Sequence, residues 1–226
     1  MSRKISLPTL RKNSYPGLFI ALEGLDGSGK TTQLTELETH FRKQGKEVYS
    51  FHWMRKEGSL FTDVIQGYLS GSLSLPKAAM QYVFSADYVI FSEEVIIPAL
   101  KAGKVVISDR CHFWSAVAYG TWENGGKFDP EIARSLLVTH GVTTAAYQFI
   151  IPDQTFYLSL SVDTAMERLQ NKKGKDIYEK RNVLESVKEG YDWLLNEFPE
   201  TFVQIDAENA KKQVTTEILT ALQPSS

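Results

Sequence analysis

The chain has 226 residues, 42% hydrophobic and 23% charged, with a formal net charge of −2. This is the composition of a globular protein, and it leaves no global positive field to favour nucleic acid. A single cysteine, Cys111, allows no internal disulfide and gives no metal-site spacing, so a reducing, cytoplasmic setting is expected, and no apolar run approaches the roughly 20 residues of a membrane span.

Residues 1–17 hold Arg3, Lys4, Arg11 and Lys12, no acid and no apolar signal core. They read as a flexible basic tail, with a short organelle-targeting segment as the alternative, ahead of one domain over 18–224. Leu18–Glu23 (LFIALE) reads as a buried strand. Lys30–Lys43 follows as a helix, with Leu34, Leu37 and Phe41 at helical spacing and Gly45 just past its end. Val48–Trp53 is a second strand, Pro76–Ala102 one long helix with a possible kink at Pro98, and Lys104–Ser108 a third strand. Helices are predicted at Phe113–Tyr119 and Pro130–His140, and a fourth strand at Thr155–Leu160. Asp163 is placed as the N-cap of a helix reaching Leu169. After a polar, basic stretch, Leu184, Val187, Tyr191, Leu194 and Phe198 share one helical stripe, then come a strand at Phe202–Ile205 and a helix at Ala210–Leu222. The alternation predicts an α/β fold: a parallel sheet covered on both faces, with ligands at the carboxyl ends of its strands.

Gly24-Leu25-Asp26-Gly27-Ser28-Gly29-Lys30-Thr31 fits G-x-x-x-x-G-K-[ST], between an apolar strand and a helical pattern. A triphosphate needs several backbone N–H donors converging on one point, and glycines let the chain curl closely enough to supply them. The helix that starts here aims its positive end at the same place. Lys30 is expected to bring charge to the β/γ oxygens and Thr31 to hold Mg²⁺, with Gly24, Asp26, Gly27, Ser28, Gly29 and Thr32 completing the ATP contacts. Asp109-Arg110 closes the third strand: Asp109 is the candidate second Mg²⁺ residue, and Arg110 the candidate clamp on phosphate. The basic run 171–182, with Lys172, Lys173, Lys175, Lys180 and Arg181, reads as a lid that neutralises the transferring group, Lys172, Lys173 and Lys175 being the catalytic candidates.

Taken in order, Phe19–Gln33 (FIALEGLDGSGKTTQ), Phe84–Asp87 (FSAD), Pro98–Arg110 (PALKAGKVVISDR), Ser115–Tyr119 (SAVAY) and Pro152–Leu169 (PDQTFYLSLSVDTAMERL) resemble the thymidylate kinase family. The resemblance implies a P-loop NTPase fold with a five-stranded parallel sheet, a homodimer, and ATP- and Mg²⁺-dependent phosphorylation of a nucleoside monophosphate. It assigns the acceptor side to Asp26, Arg55, Glu57, Phe84, Tyr88, Arg110, Ser115 and Tyr119: Asp26 near the sugar 3′-hydroxyl, Arg110 on the phosphate, Phe84 stacked on the base, Tyr119 crowding the 2′ position. Departures gather where the base is read. Tyr88 stands where the family has an arginine, Ala116 replaces a polar residue, and Arg55-Lys56-Glu57-Gly58-Ser59 replaces Arg-Glu-Pro-Gly-Gly. Gly120 stands for a common glutamine, and one extra residue separates Arg110 from Ser115. Tyrosine cannot reproduce a bidentate arginine contact, so selection of thymine does not follow from the sequence.

Two other activities fit a phosphate loop. A deoxynucleoside kinase would phosphorylate a sugar hydroxyl and could recruit Glu57 as a base. A catalytically silent relative would only bind nucleotide. A GTPase switch is disfavoured because Asn171-Lys172-Lys173-Gly174 ends in glycine rather than the acid that reads guanine.

Overall fold

The computed structural model describes residues 11–54, 58–123, 126–141, 147–170 and 179–223. Five parallel strands form one sheet in the order β2-β3-β1-β4-β5: β1 Leu18–Glu23, β2 Val48–His52, β3 Val105–Asp109, β4 Gln154–Ser159 and β5 Phe202–Asp206. The burial of each strand follows its place. β1, between β3 and β4, is enclosed on both faces apart from its first residue, whereas the edge strands β2 and β5 each bury only two of their five residues. This is the P-loop NTPase α/β fold.

The helices are α1 Lys30–Lys43, α2 Thr62–Ser70, α3 Lys77–Phe91, α4 Ile97–Lys101, α5 His112–Glu123, α6 Pro130–Gly141, α7 Val162–Gln170, α8 Arg181–Glu197 and α9 Lys211–Ala221. α1 packs on α9, and α5 packs on α3, α6 and α8. At the α5–α8 contact a Cβ on Gly190 would lie 2.8 Å from the Ala118 Cα, so glycine lets the two backbones touch. No described helix is long and apolar enough to cross a membrane.

Four differences from the sequence reading have physical causes. The long helix is interrupted not at Pro98 but by a π-helical turn at Ser92–Ile96; Pro98 then falls in the first turn of α4, where its missing N–H costs nothing. α2 was not anticipated. Its apolar positions Ile65 and Tyr68 pack with Met80 and Phe84 of α3 in a small cluster apart from the main core. The cap of α7 is Ser161, whose Oγ accepts from the Thr164 N–H at 3.1 Å; Asp163, one turn position later, pairs with Arg181 at 2.7 Å. Finally, the segment expected to be loose through residue 17 is fastened from residue 11. Ile151 N–H donates to the Arg11 carbonyl, Gly17 N–H to the Leu100 carbonyl, and Asn13 Nδ2 to Asp153 at 2.8 Å.

Candidate functional site

Parallel register brings the carboxyl ends of β1, β3 and β2 side by side, pairing Leu22 with Asp109 and Asp109 with His52. The phosphate loop leaves β1 at this edge. Gly24 has φ +140°, and a Cβ there would stand 2.6 Å from the Leu158 carbonyl oxygen at the end of β4, so only glycine fits. Gly29, at φ +91°, turns the chain into α1 with open space beside it. The loop is thus pressed against β4 at one end and free on the other, where α1 begins.

Lys30 is buried, and its Nζ donates to the carbonyls of Leu25 at 2.8 Å and Gly24 at 3.2 Å. Burial and the positive charge of Arg110 pull its ammonium down to about 8, against the pull of Asp109, Asp26 and Glu23 in the other direction. Thr31 Oγ1 donates to Asp109 Oδ2 at 2.8 Å, and His52 Nδ1 lies 3.0 Å from the same oxygen. Burial works to raise the Asp109 carboxyl. The hydrogen bonds from His52 and Thr31 and the charges of Lys30 and Arg110 outweigh it and hold the group at about 2. Asp109 is therefore ionised at neutral pH, and beside the Thr31 hydroxyl it makes a pair of hard oxygens that suits Mg²⁺. Among the described residues no group of three or more His, Cys, Asp or Glu comes together as a metal cluster.

The Asp109 shift has a consequence for stability. A carboxyl lowered from 3.8 to about 2 on folding contributes about 2 kcal/mol above the unfolded value. That contribution is lost as pH falls from about 4 towards about 2. Asp109→Asn is expected to flatten this part of the stability–pH curve in urea titrations. An unchanged acid slope in the variant would contradict the assignment.

Arg110 faces the loop from β3. Its Nη2 donates to Asp26 Oδ1 at 2.7 Å, its Nη1 to the Gly24 carbonyl at 3.2 Å, and its guanidinium carbon lies 4.9 Å from the Tyr119 ring centre. Asp26, Arg110 and Tyr119 thus come together. Ser115 is near them, but its hydroxyl donates to both oxygens of Glu23. Phe84 lies in the small α2–α3 cluster, 6.3 Å from the Tyr68 ring. Tyr88 is 1% exposed, packed against Trp53, His112 and Phe149, with its hydroxyl 3.5 Å from the Cys111 Sγ. The ring and hydroxyl of Tyr88 are thus committed to the core, and Ala116 is also buried. Arg55, Glu57, Lys172, Lys173 and Lys175, and the lid segment up to 178, lie outside the described residues. Lys180 and Arg181 are described, and Arg181 already belongs to α8.

Four residues at this site escaped the sequence reading. His52 has no metal-ligand spacing to mark it, although its place at the end of a strand is where ligands gather. Glu23 was hidden as the last letter of an apolar run; an acid ending a buried strand was the available signal. Tyr191 was read only as part of a core stripe. Arg168 of α7, which donates to the carbonyls of Gly27 and Ala207 at 3.2 Å each, ties the phosphate loop to the segment after β5. No local pattern marks it, because both partners are distant in sequence.

Over residues 22–218 the sequence matches the family described as thymidylate kinase. It is 29% identical over 219 residues to the thymidylate kinase of Chlorobaculum parvum, covering 91% of this chain and 95% of that one. It is 30% identical over 207 residues to the thymidylate kinase of Thermoanaerobacter sp., covering 90% of this chain and 96% of the relative.

Proposed function

Because the chain belongs to the thymidylate kinase family, we propose that it transfers the γ-phosphoryl group of ATP to the phosphate of dTMP or a related pyrimidine deoxynucleotide, giving the diphosphate. The observation that carries this reading is the pair of cations meeting over one loop: Lys30 on the Gly24 and Leu25 carbonyls, and Arg110 on Gly24 and Asp26. One cation serves the donor and the other the acceptor, so two phosphates are brought within reach of each other.

In this reading the amides of Gly24–Thr32 hold the donor phosphates, and Lys30 neutralises charge on the β/γ bridge. Thr31 and Asp109 would hold Mg²⁺, which would supply neutralisation of the polyphosphate charge. Arg110 orients the acceptor phosphate with its planar fork, Asp26 lies towards the 3′-hydroxyl, and Tyr119 disfavours a 2′-hydroxyl. Lys172, Lys173 and Lys175 close over the transferring group, and the protein works as a homodimer. The acceptor phosphate is a nucleophile at neutral pH, so orientation and charge neutralisation suffice without a strong general base.

The enclosure of Tyr88 and Ala116 favours a broader choice of base than dTMP alone. A panel of dTMP, dUMP, dCMP, UMP, CMP and thymidine with Mg²⁺–ATP, followed by ADP release, tests both points. Turnover of deoxynucleotides over ribonucleotides, with thymidine inert, is expected. Turnover of thymidine alone would replace the reading with a sugar-hydroxyl kinase, and ATP binding without any turnover would make this a silent relative.

A further inference from the structure

β1 ends in a carboxylate, Glu23. Glu23 is completely enclosed, and its oxygens collect donors from two stretches of chain, 111–115 and α8. Cys111 N–H donates to Oε1 at 2.7 Å, the Ser115 hydroxyl reaches Oε1 and Oε2 at 3.3 and 3.1 Å, and the Tyr191 hydroxyl donates to Oε2 at 2.7 Å. A buried carboxylate is retained only when it is fully hydrogen-bonded and matched in charge. Its counter-charge is Arg110, with Nη1 at 4.0 Å from Oε2.

The Tyr191 hydroxyl sits between the two. While donating to Glu23 it accepts from Arg110 Nη1 at 3.1 Å, so carboxylate, phenol and guanidinium form one chain of hydrogen bonds. The backbone of Arg110 needs such support. Its φ of +74° is in the left-handed region, which non-glycine residues rarely occupy unless their surroundings fix them. The Glu23–Cys111 N–H bond grips the very next residue, and Arg110 N–H donates to the Leu22 carbonyl at 2.9 Å. Both ends of Arg110, peptide and guanidinium, are therefore tied to the last residues of β1 and to α8.

We propose that Glu23 and Tyr191 are positioning residues: through the Tyr191 hydroxyl and the Cys111 N–H they hold the Arg110 fork in the pose that receives the acceptor phosphate. The inference rests on the acceptor role given to Arg110 above. It reaches two residues that touch neither substrate in that reading, and it explains why a charge is kept at the core end of β1.

Tyr191→Phe is the cleanest test, because the ring keeps its stack on Tyr157 at 5.2 Å and 24° while the hydroxyl is lost. KM for the acceptor is expected to rise about tenfold, as for loss of a hydrogen bond to a charged group, with the KM for ATP little changed; the donor lost to buried Glu23 should also lower the melting temperature by a few degrees. Glu23→Gln keeps an acceptor for the Cys111 N–H but removes the charge, and should raise the same KM. The double variant should cost less than the sum of the two, because both act through Arg110.

A second readout separates this inference from the proposed activity. In protein labelled with ¹⁵N-arginine, the Arg110 Nη protons should be resolved in the wild type and averaged by rotation in Tyr191→Phe. If the wild type phosphorylated no monophosphate, the proposed function would fail while the resonances still judged the network. Unchanged acceptor KM in both variants, lowered melting temperature as the only effect, or Arg110 resonances identical in wild type and Tyr191→Phe would each overturn the inference.

Discussion

Lys30→Met is expected to lower turnover by about a thousandfold, on the scale of removing one preorganised charge-stabilising donor, and to leave the protein at least as stable as before. The first half follows from the position of Lys30 among the loop carbonyls, at the start of α1, where no other described cation reaches the same two oxygens except Arg110 at Gly24. The second half is less obvious and comes from its titration. An ammonium lowered on folding from 10.5 to about 8 destabilises the folded protein at neutral pH, and the sign is unfavourable because the unfolded chain binds the proton more tightly. Methionine fills the same volume without that cost. The carbonyls it abandons keep other donors, Arg110 Nη1 at Gly24 and the Ser28 N–H at Leu25. A gain of about 2 kcal/mol in urea denaturation is therefore expected alongside the lost activity, the usual exchange between stability and function at an active site. The same titration is expected to weaken the proposed ATP binding between about pH 7 and about pH 9, as the free lysine gives up its proton. A variant that lost stability and activity together would show that Lys30 serves the fold.

Gly24→Ala is expected to cost about 3 kcal/mol of stability and to abolish activity. Two penalties coincide there. The backbone angle is one that side chains rarely adopt, and the new methyl would meet the Leu158 carbonyl at 2.6 Å and Ser28 Oγ at 2.9 Å. The carbonyl cannot retreat, because β4 is held in register with β1 from Gln154 to Tyr157. The loop must shift instead, and the Gly24 carbonyl that organises both Lys30 and Arg110 shifts with it. Gly29→Ala is the control. It meets the same kind of angle with no neighbour within 4 Å, and should cost about 1 kcal/mol. Equal losses at the two positions, read by urea denaturation, would contradict the packing argument.

These two residues also show what could be read from the letters alone. β1 and α1 were placed to the residue because a fixed-spacing motif lies between them and an unbroken apolar run precedes it. Asp109 and Arg110 were legible because strand ends in parallel sheets are where ligands bind. α2 was not, since its nine residues include Gly67 and two hydroxyl residues at its ends, and its helical form depends on packing against α3. The supporting layer of the site was the least visible. Glu23 and Tyr191 are 168 residues apart and meet only through the close approach of α8 to α5. His52 reaches Asp109 only because β2 and β3 pair in register. Tyr88 is read from the sequence as a departure from the family pattern, but its burial against Trp53, His112 and Phe149 depends on partners from three other segments. Motifs record what touches the nucleotide; what holds those residues in place is written in tertiary contacts.

In the proposed reading, one loop aligns two phosphates and passes a phosphoryl group between them. ATP carrying an isotopic label in its γ-phosphoryl group, incubated with Mg²⁺, the protein and dTMP, tests this when the products are resolved by phosphorus NMR. Label is expected in the β position of dTDP, with ADP formed in equal amount. Label released only as free phosphate, or no label on any monophosphate of the panel, would contradict it.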